Sequence, residues 1–176
     1  MPFENKKLLE FLEEVDKILE KKIELIAVGG TAMTLLNLKS STIDLDFEIK
    51  GKEYHSLQKV LKILNPGFKI DIFIDGLIFS QQLPEDFRKT TIPIHSTFKN
   101  IQLSALHPLD IVVTKIGRLN ARDQEDIQTC IKKFKLTSKQ IQKRAEKVEY
   151  TGNPEHYQYN IQYALKEFFK KKKSRW

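Results

Sequence analysis

The sequence predicts an α+β fold. A mixed α/β half over roughly residues 1–106 is followed by an all-helical half over roughly 107–176. Up to Leu106 the apolar pattern switches between helical and strand periods, and beyond Pro108 only helical periods remain. The link Ala105-Leu106-His107-Pro108 is short, so the halves are expected to pack together with a cleft between them.

Each element has its own reason. Phe11 and Ile18, with Leu8, Leu12, Val15 and Leu19, recur at helical spacing among Glu and Lys, which predicts an amphipathic helix over 3–21. Ile23 to Val28 reads as a short buried strand ended by Gly29-Gly30, with a helix from about Thr31 to Asn37. Ile43 to Ile49 alternates apolar and acidic residues, the signature of a strand. Gly51 to Ile63 is helical, with Tyr54, Leu57, Val60, Leu61 and Leu64 on one side, and Asn65-Pro66-Gly67 breaks it. Phe68 to Ile74 sets Phe68, Ile70, Ile72 and Ile74 against Lys69, Asp71 and Phe73, a strand turned by Asp75-Gly76. Leu77 to Ser80 suggests a short further strand, and 91–98 and 101–106 read as two strands around Lys99-Asn100. Pro108 suits a first helical turn, with Leu109, Val112, Val113 and Ile116 as the apolar face. Later helices are expected over about 123–134, 138–149 and 154–173.

Composition narrows the function classes. A chain of 176 residues, 40% hydrophobic and 30% charged, can bury a real core and stay soluble. No apolar run approaches the roughly 20 residues of a membrane span, and Met1 to Lys7 lacks a signal-peptide core, so cytoplasmic residence is the expectation. A single cysteine, Cys130, excludes an internal disulfide and Cys-based zinc sites, and it sits among helical apolar positions as a core residue. The net charge of +7 points to a polyanionic partner. Lys170 to Trp176 carries five positive charges, either a solvated helix end or a nucleic-acid contact.

The chemistry gathers on three carboxylates. Asp44 and Asp46, two apart on a strand, share one face, while Ile43, Leu45 and Phe47 share the other. Like charges this close call for a cation or a proton between them. Asp71 sits on a separate strand, and if 43–49 pairs with 68–74 the three acids converge. Three carboxylates can hold two Mg²⁺ or Mn²⁺ ions about 3.5–4 Å apart, the arrangement used in phosphoryl-type displacement. The plain alternative is an acidic, solvated strand face. Asp75 competes for the third position but precedes Gly76 and reads as a turn residue. Upstream, Gly29-Gly30-Thr31 joins a strand to a helix, where glycines admit a close ligand, helix N–H groups face a phosphate, and Thr31 can cap the helix or bond a phosphate oxygen.

Val28-Gly29-Gly30, Asp44-Leu45-Asp46 and Ile70-Asp71-Ile72 appear in the order of a known signature, and through them the chain resembles the nucleotidyltransferase superfamily. The Gly-Gly-Thr-Ala run is most similar to the nucleotidyltransferase toxins of abortive-infection, type IV toxin–antitoxin systems. A second motif of that subgroup is matched by Pro108-Leu109-Asp110, Lys115, Arg118, Arg122-Asp123 and Asp126, and the resemblance covers about residues 20–130. It implies a minimal nucleotidyltransferase fold, a mixed β-sheet flanked by helices, with a C-terminal helical bundle. It implies a metal-dependent transfer of a nucleoside monophosphate from an NTP to a hydroxyl on an RNA (tRNA) end or a protein side chain. It also implies a toxin role with an antitoxin partner. Asp44, Asp46 and Asp71 would be the metal and catalytic residues. Lys115 would serve the nucleotide phosphate, and Gly29, Gly30, Thr31, Thr42, Arg118, Arg122 and Asp126 would complete the nucleotide site.

The helical motif has its own physical sense. If one helix continues, Lys115, Arg118 and Arg122 share a face at spacings of three and four, and Asp123 and Asp126 fix Arg122 or Lys115 or contact base or ribose. Surface ion pairs are the plain alternative. One position departs from the toxin pattern: Ser40 stands where an arginine is expected, beside Lys39, which lacks arginine's planar fork. The rival function is a catalytically inactive nucleotide- or RNA-binding module on the same fold. Four scattered histidines (His55, His95, His107, His156) show no metal-ligand spacing. Tyr150, Tyr157, Tyr159, Tyr163, Phe168, Phe169 and Trp176 are candidates for base stacking or helix packing.

Overall fold

A computed structural model describes residues 2–170. In chain order its elements are β1 (Phe3–Glu4), α1 (Asn5–Ile18), β2 (Ile23–Ala27), α2 (Gly29–Leu35), β3 (Ser41–Thr42), β4 (Leu45–Ile49), α3 (Gly51–Leu64), β5 (Ile70–Ile74), β6 (Leu77–Ile78) and β7 (Gln81–Gln82). A 3-10 helix (Glu85–Thr90) leads to β8 (Ile92–Pro93), β9 (Ile101–Ala105), α4 (Pro108–Ile116), α5 (Ala121–Phe134), α6 (Ser138–Ala145), β10 (Glu149–Tyr150) and α7 (Pro154–Phe168). The class is α+β, as expected. The main sheet is mixed and eight-stranded, in the order β10-β7-β6-β5-β4-β2-β9-β8, and β1 and β3 form a separate antiparallel pair.

Strand pairing places the acids. β2 runs antiparallel to β4, and β4 runs parallel to β5 with Asp46 directly beside Asp71. On one face Leu25, Phe47, Ile70 and Ile72 meet Phe11, Leu12 and Val15 of α1 and Leu57 and Leu61 of α3. Alternation then sends Asp46, Glu48 and Asp71 to the other face. α4 is buried along almost its whole length and packs against α2, α5, α6 and α7. Pro108 opens it and the His107 ring accepts the Leu109 N–H.

Four details depart from the sequence reading. β4 begins at Leu45, so Asp44 lies in a bend before the strand. Ile43, expected on the buried face, is 59% exposed. The reason is local: Thr42 belongs to β3, paired with Phe3, and the Thr31 and Thr42 hydroxyls both donate to the Asp44 carbonyl. The 91–98 strand shrinks to Ile92–Pro93, with one further backbone bond from the Ile94 N–H to the Leu103 carbonyl. The helix expected over 138–149 stops at Ala145, and Glu149–Tyr150 joins the sheet against β7, so the C-terminal half is not wholly helical.

Cys130 and Tyr157 are buried, and Tyr157 donates to the Val113 carbonyl and stacks on Tyr150. Phe168 and Phe169 pack on the core, whereas Tyr159 and Tyr163 are exposed. α7 ends at Phe168, and the rest of the lysine-rich end with Trp176, 171–176, lies outside the described residues. Among the described residues no helix is long and apolar enough to cross a membrane.

Candidate active site

A cleft of about 510 Å³ separates the acidic face of β4 and β5 from the corner between α4 and α5. Asp44, Asp46, Asp71, Gly30, Thr42, Lys115, Arg118, Arg122 and Asp126 all line it. Gly29 and Thr31, also expected in the nucleotide site, are buried and do not line it. A cavity of similar size at the start of β2 and β9 contains Lys50 and Glu24, which neutralise each other at 2.6 Å.

The glycine turn serves the acids. Gly29 has φ +53°, and a Cβ there would lie 3.0 Å from the Phe79 ring and 3.3 Å from an Asp46 carboxylate oxygen. A Cβ on Gly30 would lie 2.7 Å from the Thr42 hydroxyl. The two glycines therefore let the acidic strand settle against α2. Thr31 fixes that contact: its hydroxyl donates to the Asp44 carbonyl at 3.2 Å and accepts the Asp46 N–H at 2.9 Å. With both functions used inside the protein, Thr31 positions the acids rather than bonding a ligand.

Asp46 is 9% exposed. Burial pushes its carboxyl up to about 6, Asp71 and Asp44 add to the rise, and the fields of Lys115 and Arg118 oppose it. Among the described residues no cation pairs with Asp46, since Lys115 and Arg118 are bonded to Asp123 instead. Asp71 pairs with Lys69 at 2.8 Å. Among the described residues no three His, Cys, Asp or Glu side chains are grouped so as to hold a metal ion. Two residues beyond Asp46, the fully buried Glu48 accepts from Arg88 and from the Gly76 N–H, and burial pushes it up to about 7. Asp75 is a turn residue, with φ +51°, that accepts the Gly51 N–H.

The opposite wall is a chain of ion pairs. Lys115, only 4% exposed, lies 3.2 Å from Asp123 and 2.9 Å from Asp126. Arg118 donates twice to Asp123 at 2.7 Å, and its guanidinium stacks over Phe79. Burial works against the Asp123 charge, yet Arg118 and Lys115 hold its carboxyl below the usual range. Asp123 also closes a capping box with Asn120, which starts α5. Lys115, Arg118 and Arg122 would share one face only if a single helix continued through them, but α4 ends at Ile116 and Leu119 takes φ +51°. Arg122 therefore reaches the same cleft from α5, exposed, and among the described residues it makes no ion pair. Lys115, expected as the phosphate donor, is committed to two aspartates, which leaves Arg122 and the half-exposed Arg118 facing the open cleft.

Sequence reasoning missed some of this wall. Lys39 pairs with Asp126 at 3.1 Å, although 87 positions separate them, while Ser40 is exposed outside the cleft. Lys69, Phe79, Asn120 and Glu125 also line it. Lys69 alone had a legible signal, being two before Asp71 on an alternating strand. Asp110 is absent from the cleft, because Arg144 of α6 bonds it bidentately. Residues 6–174 match a protein-family model described as a nucleotidyltransferase of unknown function (DUF6036). No curated protein and no solved structure matches the chain.

Proposed function

As the chain belongs to this family of nucleotidyltransferases of unknown function, we propose that it moves a nucleoside monophosphate from an NTP to an acceptor hydroxyl with a divalent cation. The observation that carries this is Asp46, buried and unpaired among the described residues, beside Asp71 in register and facing a cationic wall. Its carboxyl is pushed up by burial first and by the neighbouring Asp71 and Asp44 charges second, and a hard cation would relieve both. The donor set suits Mg²⁺ or Mn²⁺, which bind one or two carboxylates together with substrate phosphates. Asp44 and Asp46 would be those carboxylates, and Asp71 would join once Lys69 lets go. The bound ion neutralises charge on the phosphoryl oxygens.

The chain's own residues account for the remainder. The acceptor oxygen attacks the α-phosphorus, the new P–O bond replaces the bond to the β-phosphate oxygen, and pyrophosphate leaves. Asp71 receives the hydroxyl proton. Arg118 and Arg122 hold the departing phosphates, and Lys115 and Lys39 keep α5 and the 36–41 loop at the cleft through Asp126. The +7 net charge favours an RNA acceptor over a protein side chain.

The test is incubation with each radiolabelled NTP, Mg²⁺ and cell extract. Wild type transfers label, D46A transfers none, and full labelling by D46A would overturn the metal assignment. Calorimetric NTP binding without any turnover would identify a binding module instead. The toxin role implied by the resemblance predicts growth arrest on induced expression that D46A relieves, and an antitoxin would relieve it in wild type.

A further inference from the structure

A second groove, of about 620 Å³, opens beside the cleft and shares Ile43, Asp44 and Lys69 with it. Its walls are the N-terminal strand β1, the start of α1 and the turn before β5. Phe3 and Phe68, half-buried, meet edge to face with ring centres 4.7 Å apart, and Phe11 braces Phe68 from behind at 5.1 Å. Ile43 projects from the ridge between the two spaces, 59% exposed. Lys7 is exposed along the groove, and among the described residues it makes no ion pair. Lys69 stands on the ridge with its ammonium 2.8 Å from Asp71.

We propose that this groove holds the terminal nucleotides of a single-stranded polynucleotide acceptor, a proposal that rests on the transfer reaction above. Of the cleft's three crowded carboxylates the groove is lined by Asp44 alone, and it offers aromatic and apolar surface with two lysines. That is the combination that takes bases by stacking and phosphates by charge. Its continuity with the cleft gives the direction: the terminal hydroxyl reaches Asp71 at the ridge, while the chain runs outward past Lys7. Lys69 couples the two spaces. An arriving acceptor phosphate draws its ammonium from Asp71, and the freed carboxylate then accepts the hydroxyl proton as that oxygen bonds the α-phosphorus and pyrophosphate departs. The exposed Ile43 forms the lip over which the terminal sugar passes. The bend that turns it outward is the one that sets Asp44.

The experiment uses the full chain and a short single-stranded RNA labelled at its 5′ end. K7E weakens RNA binding, read by fluorescence anisotropy, about tenfold and lowers the salt slope by about one. Calorimetric NTP binding by the same variant stays within about twofold of wild type. An RNA ending in thiouridine crosslinks on irradiation to Phe3, Ile43 or Phe68, located by peptide mass spectrometry, and I43S loses that crosslink. Unchanged RNA affinity in K7E, crosslinks confined to other surfaces, or label transferred only to protein would each overturn the groove. RNA binding that is lost in K7E, from a wild type that transfers nothing, would uphold the groove and refute the transfer reaction.

Discussion

Replacing Asp46 by asparagine removes a charge that the fold holds at a cost. The carboxyl has an ordinary value of 3.8 and stands at about 6 in the folded protein. At about 1.4 kcal/mol for each pH unit, that difference is up to about 3 kcal/mol of destabilisation once Asp46 is fully ionised. The sign follows from the direction: a carboxyl raised on folding stabilises the protein while protonated, and that contribution is lost as pH rises through the folded value. D46N, neutral throughout, is therefore more stable than wild type by up to about 3 kcal/mol near pH 8 and by about 0.5 kcal/mol near pH 4. Urea unfolding at both pH values, without divalent cations, measures the gap. Added Mg²⁺ narrows it by stabilising wild type alone. On the proposed reading the variant loses transfer activity, so stability would be gained where function is lost. A gap equal at both pH values, or a less stable D46N near pH 8, would refute the argument from burial and crowding.

Three further outcomes follow from the same geometry. K115M strips the common partner from two buried aspartates and lowers unfolding stability by about 1–3 kcal/mol in denaturant titration, since Arg118 still pairs with Asp123 and Lys39 with Asp126. G30A forces a Cβ against the Thr42 hydroxyl and costs about 1–3 kcal/mol; adding T42A recovers much of it, and a double-mutant cycle without coupling would rule out that contact. If the proposed transfer holds, its rate at subsaturating Mg²⁺ is flat above about pH 6 and falls about tenfold per pH unit below it, as Asp46 takes up a proton; a pH–rate profile checks this.

Much of the scaffold is local and therefore legible. Alternation at Ile70-Asp71-Ile72 separates one apolar and one acidic face, and that separation survives in the structure because neighbouring strands preserve it. Pro108 marks the start of α4 for the same reason: its fixed φ and missing N–H act within one turn. Where a local rule met a distant contact, the contact prevailed. Ile43 obeys alternation in sequence but is turned out by hydroxyls from Thr31 and Thr42, and Glu149–Tyr150 leaves a helical pattern to complete a sheet edge near residue 81.

The sequence by itself determined which groups exist and in what order: two glycines after a buried strand, three aspartates in two alternating segments, and a run of basic and acidic residues behind a proline. Those follow from composition and from side-chain periods of two and 3.6 residues. Only the tertiary structure decided what each group faces. It seated Asp46 behind Gly29, bound Lys115 to two aspartates, turned Arg122 to the open cleft, brought Lys39 across 87 positions to Asp126, and set Lys69 on Asp71. Charge interactions depend on distance in space and on burial, and neither is a function of spacing along the chain.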